Sequence, residues 1–141
     1  MLKDKAYKYF IETDHNCAES ALMAIDEEYG LGLKPEDFHL VSGFGGGMGC
    51  EKLCGVLTGC MAACGRINVT DRAHATEGFK ELCAGLVRAF EEHLGSSVCS
   101  ELKPMYRSDE FRCLKVVELG LEAFEAYAKE KGFAPQAKNA E

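Results

Sequence analysis

No run of basic residues occurs anywhere in this 141-residue sequence. The net charge is -7 and the isoelectric point about 5.2. Phosphate binding depends on clustered Lys and Arg, so nucleic acid is not an expected partner. No stretch of about 18 apolar residues occurs either, which excludes a membrane-spanning helix. The opening MLKDKAYKYFIETD mixes charged and apolar residues without a continuous apolar core. A secretory leader is therefore not expected, and the cytoplasm is the expected compartment. No run of alternating polar and apolar residues stands out as a strand. Internal repeats and linker-like segments are missing as well.

The usual cysteine spacings are also missing. There is no C-x-x-C, so neither a zinc ribbon nor a thioredoxin-type active site is signalled, and no C-x-x-C-H for haem attachment. The ferredoxin spacing is absent. Yet there are eight cysteines: Cys17, Cys50, Cys54, Cys60, Cys64, Cys83, Cys99 and Cys113. In a reducing compartment that many thiols argue against a disulfide frame and for metal binding or redox work. Of the scattered histidines, only His15, two residues before Cys17, is a candidate ligand or proton carrier.

Length and a 47% apolar composition fit one globular domain. The periodicity is helical throughout. A short amphipathic helix is expected over 3 to 12. A second, over 17 to 29, has Asn16 as cap, Glu19 three residues on, and Gly30 as stop. A shorter helix starts near Pro35, and a central one is expected over about 50 to 65. A long amphipathic helix over 73 to 94 turns Phe79, Leu82, Leu86 and Phe90 inward and ends at Gly95. A single turn follows until Pro104 breaks it, and a final helix is capped by Ser108. The expected fold is an all-α, single-domain bundle of five to six helices over 1 to 133, with a mobile tail over 134 to 141.

The segment SGFGGGMGCEKLCGVLTGCMAACGRI, residues 42 to 67, concentrates glycine and cysteine. On an ideal wheel of about 100° per residue, Cys50, Cys54, Cys60 and Cys64 share one broad face of the expected central helix. Gly55, Gly59 and Ala62 form a small-residue strip on the other side, where another backbone can approach. Gly45, Gly46, Gly47 and Gly49 form a loop whose amides can reach a ligand or cluster just before a helix start. The loop lacks the Gly-Lys-Ser/Thr of a phosphate-binding loop and does not follow a strand. Cys17 and Cys99 fall at expected helix starts, and Cys113 lies in the first turn or so of the last helix. Helix N-termini favour thiolates. Spacing alone is silent on whether these cysteines meet.

HNCAES, SGFGGGMG, CGVLTG, a later Cys before EL, and RC, taken in this order, resemble a family of redox-active proteins. That family is labelled by its cysteine signature, C_GCAxxG_C_C, and the resemblance covers roughly 14 to 120. Matched residue by residue, its hallmark cysteines fall on Cys17, Cys54, Cys99 and Cys113. Its CGAxxG motif falls on Cys54 to Gly59, with Val56 where the motif has alanine. The resemblance implies cysteine redox work, and similarity to the non-haem part of split-Soret cytochromes implies an iron–sulfur cluster. Cys50, Cys60, Cys64 and Cys83 lie outside the hallmark set.

Three functions remain open at this level. One is an iron–sulfur or other metal-binding electron-transfer protein with Cys17, Cys54, Cys99 and Cys113 as ligands and an unidentified redox partner. Another is a metal-free thiol–disulfide protein or sensor. The last is a non-catalytic helical interaction protein with core cysteines. A homodimer is open too, with a ligand set near one end of the domain shared between two copies.

Overall fold

Asn16 starts the first long helix as its sequence dictates. Its side chain accepts from the Glu19 amide at 2.9 Å, while the Glu19 carboxylate accepts from the Asn16 amide at 3.0 Å. This reciprocal cap satisfies two otherwise orphaned amides. Helix α1 (Cys17–Tyr29) runs from there to Gly30, whose left-handed backbone ends it. The computed structural model describes residues 1–134, so all but the first residue of the tail expected over 134 to 141 lies outside the described residues.

Four further α-helices follow: α2 (Gly55–Asn68), α3 (Phe79–Leu94), α4 (Cys99–Tyr106) and α5 (Leu114–Lys131). Short helical segments precede α1 (Leu2–Lys5 and Lys8–Glu12) and lie between α1 and α2 (Pro35–Phe44). Among the described residues there is no strand, and the fold is all-α as expected. No helix among them is long and apolar enough to cross a membrane. Phe90, Phe124, Ile25, Leu57, Leu86 and Leu121 are fully buried in one core that every α-helix helps to line. Each such side chain contributes about 2 kcal/mol through burial.

Several boundaries differ from expectation. The central helix starts at Gly55, not at 50, because the chain before it turns left-handed. Gly46, Gly47, Met48, Gly49 and Glu51 all have φ between 62° and 74°. Glycine tolerates this region, whereas Met48 and Glu51 are held there against their intrinsic preference. Cys50 therefore leaves the helix and is exposed, which dissolves the four-thiol helical face. The third long helix starts at Phe79, since residues 73 to 75 make only a separate short turn. Pro104 does not end α4, which continues to Tyr106. The amide it lacks would have served Ser100, an exposed residue, so little is lost. Ser108 does not cap the last helix. Its hydroxyl accepts from the Phe111 amide at 3.0 Å inside a tight turn over 108 to 112, and α5 begins after Cys113.

The glycine strip does its expected work against α1. A Cβ on Gly59 would stand 2.5 Å from the Ala18 carbonyl oxygen, and one on Gly55 would stand 2.5 Å from Cys17 Sγ. Helices α1 and α2 thus pack nearly backbone to backbone, and α5 and α3 complete the bundle around α2. Gly65 is different, because its nearest neighbour would be the Phe79 ring edge at 3.9 Å.

Gly59→Ala should therefore lose about 1–2 kcal/mol net, since the backbone overlap outweighs the roughly 1 kcal/mol gained in helix propensity. Gly65→Ala should be neutral or stabilising by up to about 1 kcal/mol. Urea denaturation of both variants checks this; equal midpoints would show that the α1–α2 contact has room to spare.

Candidate functional site

The four hallmark cysteines come from four helices, and every one stands at a helix N-terminus. Cys17 and Cys99 are the first residues of α1 and α4, while Cys54 and Cys113 are the N-caps of α2 and α5. All four line one cavity of about 200 Å³. Its walls include the buried side chains of Phe10, Val56, Leu102 and Val116. Lys103 is half-buried at the cavity, and Arg107 and Arg112 are exposed at it.

Two local devices hold this arrangement. The chain before α2 pairs with the chain before α4. The Cys54 amide donates to the Ser97 carbonyl at 2.8 Å, and the Cys99 amide to the Lys52 carbonyl at 2.6 Å. This short antiparallel bridge, centred on Leu53 and Val98, fixes Cys54 and Cys99 as neighbours. On the α1 side, Asn16 Nδ2 donates to the Ser42 carbonyl at 2.9 Å, tying the cap before Cys17 to the segment before the glycine loop. The Ser42 hydroxyl also donates to Glu19. Burial pushes the Glu19 carboxyl up, but the Ser42 hydroxyl and Asn16 amide outweigh it and hold it below the usual range.

The four glycines expected to serve a ligand divide. Gly46 lines the cavity. Gly47 is buried, and a Cβ there would stand 2.8 Å from Cys99 Cβ and 2.5 Å from the Lys52 amide nitrogen. Gly45 packs on Asn16 in the same way, at 2.5 Å from its Nδ2. Gly49 is exposed and touches nothing that a Cβ would meet within 4 Å. Gly45 and Gly47 therefore shape the walls, Gly46 faces the cavity, and Gly49 serves the turn.

His15 is absent from the cavity lining. Its Nδ1 pairs with the Thr13 hydroxyl at 2.7 Å, and it lines a separate groove with His39 and Glu19. The cations are the part that sequence reasoning missed. Lys103 lies four residues after Cys99 on α4, one helical turn away, and Arg112 directly precedes Cys113. Both relations were readable once those cysteines were singled out. Arg112 is anchored by a 3.0 Å bond to the Phe10 carbonyl and stacks over the Phe10 ring at 4.7 Å. Lys103 pairs with Glu51 of the glycine loop at 2.9 Å. A larger groove between α3 and α5, about 460 Å³, has neither cysteine nor histidine in its lining.

Burial opposes ionisation of three of these thiols, Cys54, Cys99 and Cys113. Burial raises Cys54 from 9.0 to about 12, with the Leu57 and Val56 amides pulling the other way. Burial also pushes Cys99 and Cys113 up, against Lys103 for both and Arg107 and Arg112 for Cys113. Ionising one thiol would oppose the next, since Cys17 and Cys99 both act on Cys54, and Cys17 acts on Cys99 and Cys113. Among the described residues, no three Cys, His, Asp or Glu side chains gather closely enough to hold a single metal ion.

A family model described as "Putative redox-active protein (C_GCAxxG_C_C)" matches residues 15–127. The chain belongs to this family. A relative from Archaeoglobus fulgidus, described as "Uncharacterized protein", is 28% identical over 121 aligned residues, covering 76% of this chain and 80% of the relative. No solved structure matches the chain. Membership establishes the redox-active class and the cysteine signature; the cofactor is a separate matter.

The buried thiols make the stability of the cofactor-free C_GCAxxG_C_C protein fall at high pH. Cys54 and Cys64 hold their protons to about 12, and burial pushes Cys60 higher still, while unfolded thiols ionise from about 9.0. The folded chain thus binds more protons between these limits, so this contribution is complete below pH 9 and is lost progressively above it. Tyr29 and Tyr127, pushed above 10.0 by burial, act in the same direction. Denaturant midpoints measured from pH 8 to 11 should fall steadily above 9, and Cys60→Ala should flatten the slope. A midpoint independent of pH would show that these thiols are open to water.

Proposed function

We propose that Cys17, Cys54, Cys99 and Cys113 ligate an iron–sulfur cluster and that the protein carries electrons. The observation that carries this reading is their convergence on one cavity from four helix N-termini. The donor set fits the group. A mononuclear zinc site would bring its sulfurs to about 3.8 Å of one another, given a Zn–S distance of about 2.3 Å. Among the described residues no such close group of three occurs, and the cavity of about 200 Å³ that the four cysteines line leaves room for a polynuclear core. When bound, such a core supplies a one-electron couple whose potential depends on charge, hydrogen bonding and burial.

The chain's own residues do the rest. Thiols become ligands only by losing protons, so burial of Cys54, Cys99 and Cys113 makes deprotonation depend on the incoming positive charge. The positive ends of α1, α2, α4 and α5, with Lys103, Arg107 and Arg112, offset the negative charge of four thiolates. Phe10, Val56, Leu102 and Val116 exclude water from the inner wall.

The metal-free alternative is dithiol–disulfide exchange between two of these cysteines. Their proximity supports it. The raised Cys54, Cys99 and Cys113 thiols slow such exchange, because protonated sulfur is a poor nucleophile.

Protein purified without oxygen and without an affinity tag should contain iron and acid-labile sulfide in near-equal amounts and absorb in the visible. Cys54→Ser should abolish the band, whereas Cys50→Ser, at an exposed position outside the cavity, should leave it intact. Zinc alone, or no metal with reversibly oxidising thiols, would refute the cluster.

A further inference from the structure

Cys64 and Cys83 take no part in the cavity, and the family signature does not include them. Cys64 shares the inward face of α2 with Leu57 and Cys60, and is fully buried. Cys83 lies one turn after Phe79 and just before Leu86 on the inward stripe of α3, and is only partly buried. Helices α2 and α3 pack against each other: a Cβ on Gly65, next to Cys64, would stand 3.9 Å from the ring of Phe79, one turn before Cys83, so the two thiols are neighbours on this seam. Asn68 holds the Cys64 end in place: its side-chain amide donates to the Cys64 carbonyl at 2.8 Å and approaches Cys64 Sγ at 3.7 Å.

We propose that Cys64 and Cys83 form a second redox site, in which their thiols join reversibly as a disulfide that staples α2 to α3. The pair is asymmetric. Cys83 is partly exposed and Cys64 is buried, so Cys83 is the sulfur that an external disulfide can reach. The oxidant is a small disulfide of the glutathione disulfide class. Cys83 Sγ attacks one of its sulfurs, a mixed disulfide forms, and the external S–S bond breaks. The departing thiolate takes up the proton that Cys83 loses. Cys64 Sγ then attacks Cys83 Sγ, giving its own proton to the second external thiolate as that leaves. In total, two protein thiols lose two electrons and two protons, and the external disulfide becomes two thiols.

Burial also sets the character of this site. Cys64 is raised to about 12 and Cys83 is raised as well, so neither reduced thiol is stabilised as thiolate. A dithiol of this kind exchanges slowly and, once oxidised, resists reduction, the reverse of a strongly oxidising catalytic pair. The closed loop runs from 64 to 83 and contains the largely exposed connection over 69 to 78. Fastening it ties the distal half of α2 to α3; Cys54 caps the other end of α2.

The test is cross-link mapping of the full-length protein after incubation with glutathione disulfide, alkylation of remaining thiols, digestion and mass spectrometry. The expected result is a peptide pair joined through Cys64 and Cys83, lighter than its reduced form by two hydrogens and separated by dithiothreitol. Cys83→Ser should remove it. The oxidised wild type should melt several degrees above the reduced form, and Cys83→Ser should show no such rise. Two results would overturn the proposal: both thiols alkylated on denaturation after the oxidising treatment, or Cys83 found only in a mixed disulfide with glutathione. If a variant fails to fold, the wild-type map alone decides. Neither result bears on the cavity cysteines, which the map reads separately.

Discussion

Near-contact between the backbones of α1 and α2 is the constraint on which the rest of this protein depends. Gly59 lets α2 close on the Ala18 carbonyl of α1, and Cys17 Sγ occupies the space that a Cβ on Gly55 would fill. The same contact places the starts of the two helices side by side, so Cys17 and Cys54 open onto one space. The cost is helix propensity at Gly59, inside α2, about 1 kcal/mol. Packing of α2 against α1, α3 and α5 offsets it.

The site follows from helix ends meeting rather than from a binding loop. Each of the four thiols stands where a helix presents free amides and the positive end of its dipole. Burial and mutual proximity work against ionisation, and Lys103, Arg107 and Arg112 work for it. At Cys54, Cys99 and Cys113 the upward shift wins, so these three thiols give up their protons most readily to added positive charge. The left-handed turn through Gly46 to Glu51 belongs to the same design. It lets Gly47 press on Cys99 and brings Glu51 to Lys103, so one irregular loop supports both a wall and a cation of the cavity.

The cysteines outside the cavity show how differently the same residue is used. Cys50 is exposed on the left-handed turn, Cys60 is sealed in the core, and Cys64 and Cys83 face each other across two helices. A single wheel had grouped Cys50, Cys54, Cys60 and Cys64 on one face. It failed because the helix it assumed begins at Gly55, after backbone that only tertiary contacts hold in place.

Local chemistry determined the helical class, the capping box at Asn16, the span of α1 to its stop at Gly30, and the close approach at Gly55 and Gly59. Those features depend on interactions within a few residues or on side-chain size, and both are written in the sequence. The placement of Cys17 and Cys99 at helix starts was legible for the same reason. The N-cap positions of Cys54 and Cys113 were not, because the turns before α2 and α5 depend on positive φ at Met48, Glu51 and Arg112. Nor was the pairing of Leu53 with Val98 legible, nor the arrival of Lys103, Arg107 and Arg112 beside Cys17 and Cys54. These join residues distant in the chain, and periodicity carries no information on which helix ends will meet. The sequence determined which residues could do thiol chemistry; only the packing of α1, α2, α4 and α5 decided that four of them share one cavity.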